Sequence, residues 1–500
     1  MSFSNWRPIL QSFLQADGLP FANVLPEETI RRIALDAGVS PEADQACPVY
    51  TTAVTLWAFL SQILFRGEQR SCAAAVARVV VLSVSLGREP CSDDTGAYCR
   101  ARARLPLALI QNLTYHIADE AEALTPQSWL WKGRRVDLID GTTVSTPDTP
   151  SLQAKYPQMK SQKPGLGFPI IRMVVLLSLA TAMVRGMAMG PYTGKETGET
   201  ALFRQLLDRL KPGNVVLADR YFCSYFMIAL LRAANVDIVT RLHQRRSCDF
   251  RRGQKLGHGD HIVTWQRPRR PKWMDEETYA QMPESIEVRE IHVKISEPGF
   301  RVDSLIVVTS LLDSNTYSRD DIAELYHKRW LVELDIRAIK SSIGMDQLRC
   351  KSPEMVTKEI WTCLLAYNLI RLPMMQAAHR ANSDTDKKAD KKADKKADKK
   401  ADKKANSNKL PGREENLSPR QLSFTAAMQK LAASWGVVHL LDEERARTLI
   451  DAHLHDLATQ QVGDRPGRVE PRAVKRRPKP HPLLSKPREQ ARAELLGTVA

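Results

Sequence analysis

One acid, two cations and a phenol lie at helical spacing in the segment YHKRWLVELDIRAIK. Tyr326, Arg329, Glu333 and Lys340 are separated by two, three and six intervening residues. At about 100° per residue, an α-helix would place all four within an arc of roughly 60° on one face. Such a face could be ordinary solvated surface, so the pattern indicates chemistry only if partner groups occur elsewhere in the chain.

Two aspartates stand where such partner groups are needed. Asp140 closes the strand-like segment RRVDLID, just before Gly141, and Asp219 closes the apolar run NVVLAD. Ligands gather at the carboxyl ends of strands in open α/β sheets, so neighbouring strands would set the two carboxylates side by side, with Glu333 presented to both. Oxygen ligand sets of this kind suit Mg²⁺ or Mn²⁺, which complete their coordination with water and phosphate.

The order of these acids resembles that of a known family. Asp…Asp…Glu, with the glutamate inside Tyr-x2-Arg-x3-Glu-x6-Lys, is similar to the DDE transposases of bacterial insertion sequences, specifically the insertion-sequence-four group. The segments DGTT and ADRYF carry the resemblance around the two aspartates, and VTLWAFLSQIL, TGAYCRARARLP and RAVKRRPKP extend it outward. The resemblance covers most of the chain, excluding a lysine-rich repeat.

The resemblance implies cut-and-paste DNA transposition, in which DNA is cleaved at the ends of the element and its freed 3′-hydroxyl attacks target DNA. Asp140, Asp219 and Glu333 would be catalytic and would bind two Mg²⁺ (or Mn²⁺) ions, which activate the nucleophile and stabilise the leaving oxygen. Tyr326, Arg329 and Lys340 would bind DNA phosphates near the cleaved bond.

The partners implied are double-stranded DNA, at the element ends and at the target, and a second copy of the chain in a homodimeric DNA complex. The location implied is the bacterial cytoplasm, in association with the nucleoid. Two alternatives stay open: a metal-dependent nuclease of the same fold without strand transfer, and an inactive transposase-derived DNA-binding protein. The full helix signature argues against the first, and the three intact acids argue against the second.

Strand and helix patterns predict an α/β fold around the acids. After RRVDLIDGTTV, the segment GFPIIRMVVLLSLATAMVRGMAMG predicts two strands that fold back on each other. An amphipathic helix, the NVVLADRYF strand, a second helix and the VDIVTRL strand follow. This is the element order of the ribonuclease-H-like fold, with a mixed five-stranded sheet and helices, which the resemblance also implies.

The domain organisation follows from changes in pattern and composition. The second aspartate and the glutamate are 114 positions apart, which allows a β-rich insertion whose basic residues and tryptophans either grip DNA or cover a small core. The predicted parts are a helical N-terminal DNA-binding domain (1–128), a ribonuclease-H-like catalytic domain (129–380) with the insertion at about 244–303, a low-complexity Lys-rich linker (381–410), a helical C-terminal region (411–460) and a basic Pro-rich tail (461–500).

Composition favours a nucleic-acid partner. The 500 residues include 73 Lys+Arg and 57 Asp+Glu, a net charge of +16. Five tandem Asp-Lys-Lys-Ala copies at 386–405 contribute +5 of that charge, so the remainder is still basic. No apolar run reaches the roughly 18 residues of a membrane span, and the N-terminus shows no secretion signal, so we expect no membrane partner.

Two further groups of residues bear on metal binding. The eight cysteines include no CxxC pair, which favours reduced thiols over a disulfide framework or a zinc site. His258, Asp260 and His261 in GHGDH resemble metal ligands, but the sequence shows no second cluster to complete a site. A plain loop is therefore the preferred interpretation of that segment.

Overall fold

The computed structural model describes residues 6–16, 19–45, 49–294, 304–397, 416–462 and 484–497. One nine-stranded mixed sheet carries apolar clusters on both faces, and helices cover both clusters. The predicted α/β class is confirmed. The strands are β1 (Val136–Ser145), β2 (Ile170–Ser178), β3 (Val184–Pro191), β4 (Val215–Ala218), β5 (Asp237–Arg241), β6 (Gln254–Gly257), β7 (Asp260–Gln266), β8 (Ser285–Lys294) and β9 (Ser304–Thr309).

The strand order across the sheet is β3-β2-β1-β4-β5-β9-β8-β7-β6. The predicted hairpin is present, since β2 is antiparallel to both β1 and β3. Strands β4 and β5 run parallel to β1, and β9 continues the sheet antiparallel to β5. The five strands expected from the sequence are thus one part of a larger continuous sheet.

Strand β1 corrects one detail of the sequence analysis. We expected it to stop at Gly141, but it continues to Ser145 because β2 pairs with it along Asp137–Ser145. Its other neighbour, β4, ends at Ala218, so only one side of β1 remains paired beyond Ile139. Asp140 therefore marks the end of the β1–β4 pairing and not the end of the strand.

Helices enclose the sheet and form most of both ends of the described chain. Seven of them precede β1, as the predicted helical N-terminal region requires. The helices are α1 (Arg7–Ser12), α2 (Glu27–Asp36), α3 (Pro41–Gln45), α4 (Thr52–Leu64), α5 (Cys72–Ser85), α6 (Thr95–Arg104), α7 (Leu107–Ala123), α8 (Pro150–Lys155), α9 (Glu199–Arg204), α10 (Tyr225–Ala233), α11 (Glu276–Gln281), α12 (Arg319–His327), α13 (Leu331–Arg337), α14 (Pro353–Ala397), α15 (Phe424–Ser434), α16 (Glu443–Thr459) and α17 (Arg488–Leu495).

Helix α14 is the central packing element of the larger apolar cluster. It contacts α4, α7, α15 and α16. The fully buried Asn368 accepts a hydrogen bond from the Val184 backbone N–H (2.8 Å) and donates to the backbone carbonyls of Val184 (2.9 Å) and Thr114 (3.0 Å). These bonds align α14 with β3 and α7. The helix extends past residue 380, the predicted end of the catalytic domain, into the repeat, and residues 398–415 lie outside the described part of the chain.

The predicted β-rich insertion contains β6, β7 and β8, and residues 295–303 lie outside the described part. Trp265 is only 7% exposed and packs in the smaller apolar cluster. Trp273 packs against the same cluster, beneath the Arg204 guanidinium, 3.8 Å from the ring centroid. Of the two interpretations left open, the burial of Trp265 favours a tryptophan that covers a core over one that stacks on bases.

The described segments show no helix that combines the length and apolarity needed to cross a bilayer. Seven cysteines fall within these segments and all seven are free thiols, whereas Cys47 lies outside them. Residues 463–483, which include RAVKRRPKP and most of the predicted basic tail, also lie outside them. The predicted division of the chain into domains stays a prediction.

A buried ion pair sets the position of β1. The Arg185 guanidinium on β3 donates to Asp137 Oδ1, and both side chains are 1% exposed. Asn214 Nδ2 donates to the other carboxylate oxygen at 2.6 Å. Removing one member of such a pair leaves the other charge unpaired in an apolar interior.

We expect Arg185→Leu to lower the free energy of unfolding by about 3–5 kcal/mol, because Asp137 would keep its charge and lose its cation. The shift of the urea midpoint, followed by circular dichroism, measures the effect. Arg251→Leu is the matched control, since Arg251 is 90% exposed in its pair with Asp249 and its loss should leave the midpoint unchanged. Equal midpoints for the two variants would contradict the prediction.

Candidate active site

Two carboxylates meet at the shared end of β1 and β4. Ile139 and Ala218 are register partners across the parallel pair, so the next residues, Asp140 and Asp219, lie side by side. Each carboxylate accepts a hydrogen bond from the following backbone N–H, that of Gly141 at 2.8 Å and that of Arg220 at 2.6 Å. The predicted adjacency of the two strands is confirmed.

The third acid lies on a helical segment that is less regular than the sequence indicated. Residues 319–342, here called the signature segment, run from α12 through a 3₁₀ turn (Lys328–Trp330) into α13 and end in a π-helical turn (Ala338–Ser342). The segment begins at Ser318, which caps α12 in a capping box with Asp321. The expectation of one regular helix is wrong, since the 3₁₀ and π turns change the rotation per residue.

Arg329 joins the first acid to the third. Its Nη2 donates to Glu333 Oε1 at 2.8 Å, and its Nη1 lies 3.9 Å from Asp140 Oδ2. The Arg329 side chain is 19% exposed, whereas that of Glu333 is 57% exposed. The cation therefore lies within the cluster, and Glu333 stays open to solvent.

The other two residues of the predicted helical face take different positions. Tyr326 is 8% exposed, and burial raises its pKa to about 12, so its hydroxyl is neutral at physiological pH. Lys340 reaches across to β1, where its Nζ donates to the Thr143 carbonyl (2.8 Å) and the Thr142 hydroxyl (3.3 Å). Lys340 thereby holds the end of the signature segment against the strand that carries Asp140.

A fourth carboxylate, which the sequence analysis missed, lies beside the aspartate pair. Glu199 opens α9, and a Cβ added at Gly141 would lie only 2.3 Å from Glu199 Cδ. Glycine is thus the residue that admits this carboxylate next to Asp140. From the sequence alone, Glu199 resembles the acids that commonly occupy the first turn of a helix, so no local signal would have identified it.

The carboxylates carry more negative charge than their surroundings compensate. Burial, reinforced by Glu199 and Asp219, raises the pKa of Asp140 to about 6, although the Gly141 N–H and Arg329 oppose the shift. Burial and Asp219 also raise the pKa of Glu199, against the attraction of Arg172. Buried carboxylates in excess over cations fit a hard divalent cation, which prefers oxygen ligands.

A second buried network, of ion pairs to Asp335, holds the signature segment in place. Asp335, two residues after Glu333 and 3% exposed in its side chain, forms ion pairs with Arg371 of α14 (3.0 Å) and with Arg420 (2.9 Å). The Tyr367 hydroxyl lies 3.2 Å from the same carboxylate. Through Asp335, the long helix and the C-terminal region determine where Glu333 lies.

Residues 131–369 match the family described as the transposase DDE domain. The matched segment covers 239 of the 500 residues, just under half of the chain. The chain is 29% identical over 292 residues to transposase InsG of insertion sequence element IS4 from Escherichia coli K12. These residues are 56% of this chain and 61% of that protein. The resemblance to the insertion-sequence-four group is confirmed, and the chain spans about three fifths of the length of this relative.

Two further similarities are weaker. The putative transposase InsZ of Escherichia coli K12 is 27% identical over 136 residues, 27% of this chain and 44% of that protein. A cryo-EM structure of the piggyBac transposase synaptic complex with hairpin DNA aligns over 92% of this chain and 86% of that chain, with 11% identity and a TM-score of 0.40.

We expect Asp335→Asn to loosen the signature segment of the DDE domain, because Arg371 and Arg420 would each lose a buried counter-charge. The free energy of unfolding should fall by about 3–5 kcal/mol, and amide hydrogen exchange at residues 331–342 should accelerate. Asp320→Asn, at an exposed position in the first turn of α12, is the control and should leave that exchange unchanged. Identical exchange in the two variants would show that Asp335 does not position Glu333.

Proposed function

We propose that this chain is an insertion-sequence transposase that cleaves DNA at the ends of its element and joins those ends to target DNA. The observation that carries the proposal is the meeting of Asp140 and Asp219 at paired strand ends, with Arg329 linking Asp140 to Glu333, inside a transposase DDE domain. Double-stranded DNA is the substrate, and the net charge of +16 favours its phosphates.

The proposal includes the finer description of the fold. The order β3-β2-β1-β4-β5, in which only β2 runs opposite to the other four strands, supports a ribonuclease-H-like core. Strands β6–β8 of the insertion extend the same sheet through β9. The N-terminal helices (1–128) would recognise the element ends. A homodimer in the DNA complex and a nucleoid-associated location in the bacterial cytoplasm complete the proposal.

Asp140, Asp219 and Glu333 would hold the divalent ions, Mg²⁺ or Mn²⁺, with two ions per site. When bound, such ions supply an activated oxygen nucleophile and stabilise the charge on the leaving oxygen. The excess of carboxylates and the raised pKa of Asp140 support this assignment.

The cationic residues of the signature segment would bind the scissile phosphate and its neighbours. Arg329 donates one N–H to Glu333, and its Nη1 lies 3.9 Å from Asp140, so its planar fork retains further donors for phosphate oxygens. Lys340 directs two donors to Thr142 and Thr143, and a third is available in its ammonium group. Tyr326 would contribute a neutral hydroxyl donor, since its pKa is about 12.

We expect Asp140→Ala, Asp219→Ala and Glu333→Gln each to reduce Mg²⁺-dependent end cleavage and joining by at least about 100-fold, because each removes electrostatic stabilisation of the reacting phosphate. The assay supplies DNA that carries the terminal repeats of the element, together with target plasmid. Glu324→Gln is the control, since Glu324 is 68% exposed and pairs with Lys328 on the same segment. It should retain full activity.

The same assay separates the alternatives. Cleavage without joining would identify a nuclease of the same fold and overturn the strand-transfer step. DNA binding with neither cleavage nor joining would identify an inactive transposase-derived protein. Activity that survives Asp140→Ala would exclude the proposed site.

Glu199 extends the proposed metal site. Its carboxylate adds negative potential beside Asp140 and Asp219 and so would favour divalent cations without being one of the three family acids. Because its position depends on the missing side chain at Gly141, two different substitutions disturb it: Glu199→Gln removes the charge, and Gly141→Ala displaces the carboxylate.

We expect both variants to weaken Mn²⁺ binding by roughly 10–100-fold, the range found when groups that surround metal ligands are changed. Electron paramagnetic resonance of free Mn²⁺ measures the affinity without reference to activity. Glu196→Gln is the matched control, three residues upstream and 57% exposed in its pair with Arg204. If Glu199→Gln and Glu196→Gln bind Mn²⁺ equally well, Glu199 has no part in the metal site.

A further inference from the structure

Three potential metal ligands converge in the insertion, apart from the DDE acids. His261 on β7 and Glu290 on β8 are direct register partners across the antiparallel pair, so both side chains lie on the same face of the sheet. Cys248, from the segment before β6, approaches the same point. Its Sγ lies 3.6 Å from His261 Nε2, which lies 3.1 Å from Glu290 Oε2. All three ligand atoms lie within 4.8 Å of one another.

The hydrogen bond on the far side of the imidazole determines which atom faces the cluster. His261 Nδ1 lies 2.8 Å from the Arg252 carbonyl oxygen, which can only accept, so Nδ1 carries the proton. A neutral imidazole then presents its Nε2 lone pair to the Glu290 carboxylate. Two acceptors 3.1 Å apart repel each other unless a proton or a metal cation lies between them. His261 is 1% exposed and Glu290 3%, so water does little to relieve this repulsion.

The distances from His261 Nε2 to the other two ligand atoms fit a tetrahedral zinc ion. With Zn–S of about 2.3 Å and Zn–N and Zn–O of about 2.0 Å, tetrahedral angles place sulfur and nitrogen about 3.5 Å apart and nitrogen and oxygen about 3.3 Å apart. The observed separations are 3.6 Å and 3.1 Å. The cluster needs little rearrangement to accept the ion.

Hydrogen bonds from outside the cluster already orient two of the three ligands. The Arg252 carbonyl fixes the histidine ring, and Trp265 Nε1 donates to Glu290 Oε1 at 3.1 Å, which leaves Oε2 directed at the cluster. Histidine and carboxylate ligands of zinc are held in this way by groups behind them. Cys248 is partly exposed, so an ion and a displaced proton can exchange with solvent on that side.

We propose that Cys248, His261 and Glu290 bind one Zn²⁺ ion, with a fourth position open to water. A thiolate with an imidazole and a carboxylate selects a borderline-soft cation over Mg²⁺, so this site and the DDE acids differ in their metal preference. Zinc displaces the thiol proton to solvent and ties the segment around Cys248 to the β7–β8 pair. The proposal does not depend on the proposed transposase activity.

This site corrects the expectation from the sequence about GHGDH. GHGDH is not a plain loop, because Asp260 and His261 begin β7. Asp260 is not a ligand, since it pairs with the buried Arg289 at 2.5 Å. The missing second cluster is supplied by Cys248 and Glu290, which lie 13 and 29 residues away from His261 along the chain.

The test titrates the full-length, chelator-treated protein with Zn²⁺ in the presence of excess Mg²⁺, which occupies the DDE acids. We expect one Zn²⁺ per chain, a higher thermal unfolding midpoint, and at least about 100-fold weaker binding in Cys248→Ser. Replacement of Zn²⁺ by Co²⁺ should produce a thiolate-to-cobalt charge-transfer band, which a site made only of carboxylates cannot show. Glu290→Gln, which keeps the size of the side chain, should also weaken zinc binding.

Cys99→Ser is the matched control, because Cys99 is also a partly exposed free thiol and lies on α6, outside the cluster. It should bind zinc and show the cobalt band as the unmodified protein does. Absence of stoichiometric zinc and of the cobalt band in the unmodified protein would overturn the proposal. Equal affinity of Cys248→Ser and Cys99→Ser would overturn it as well, in favour of a protonated His261 paired with Glu290.

Discussion

The placement of Glu333 beside Asp140 depends on the contact of one guanidinium with both carboxylates. Arg329 lies between Asp140 and Glu333, at 3.9 Å and 2.8 Å from their oxygens. Carboxylates brought together in a partly buried site repel one another, and the repulsion grows as water is excluded. A cation on the same segment as the third acid allows the strand ends and the helix to approach without neutralising every acid. The remaining negative charge then favours divalent ions.

Two of the three acids are positioned by a structural aspartate close by in sequence. Asp137 precedes Asp140 by three residues and binds Arg185, and Asp335 follows Glu333 by two residues and binds Arg371 and Arg420. Such buried pairs add little net stability, but breaking one is costly, so they favour a single arrangement of the elements that carry them. Asp219 relies on backbone contacts, with the Thr240 hydroxyl donating to its carbonyl at 2.9 Å.

The N-terminal helical region also contributes to this arrangement. Arg70 Nη1 donates to the Gly344 carbonyl at 2.8 Å, and Arg66 Nη2 donates to the Ser341 carbonyl at 2.6 Å, just after Lys340. Gly344 has φ of +84°, a backbone conformation that L side chains rarely adopt. Both ends of the signature segment are thus fixed, by the Ser318 cap at one end and by these arginines at the other.

The sequence by itself predicted the α/β class, the β2–β3 hairpin and the acids that we propose for the site, because turns and side-chain periodicity are local properties. Only the tertiary structure decided that β1 continues beyond Gly141, that the signature helix changes to 3₁₀ and π turns, and that the sheet has nine strands. It alone brought Glu199 to Gly141 and Cys248 to His261 and Glu290. Those outcomes depend on which distant segments pack together, and the composition of one segment does not specify its partners.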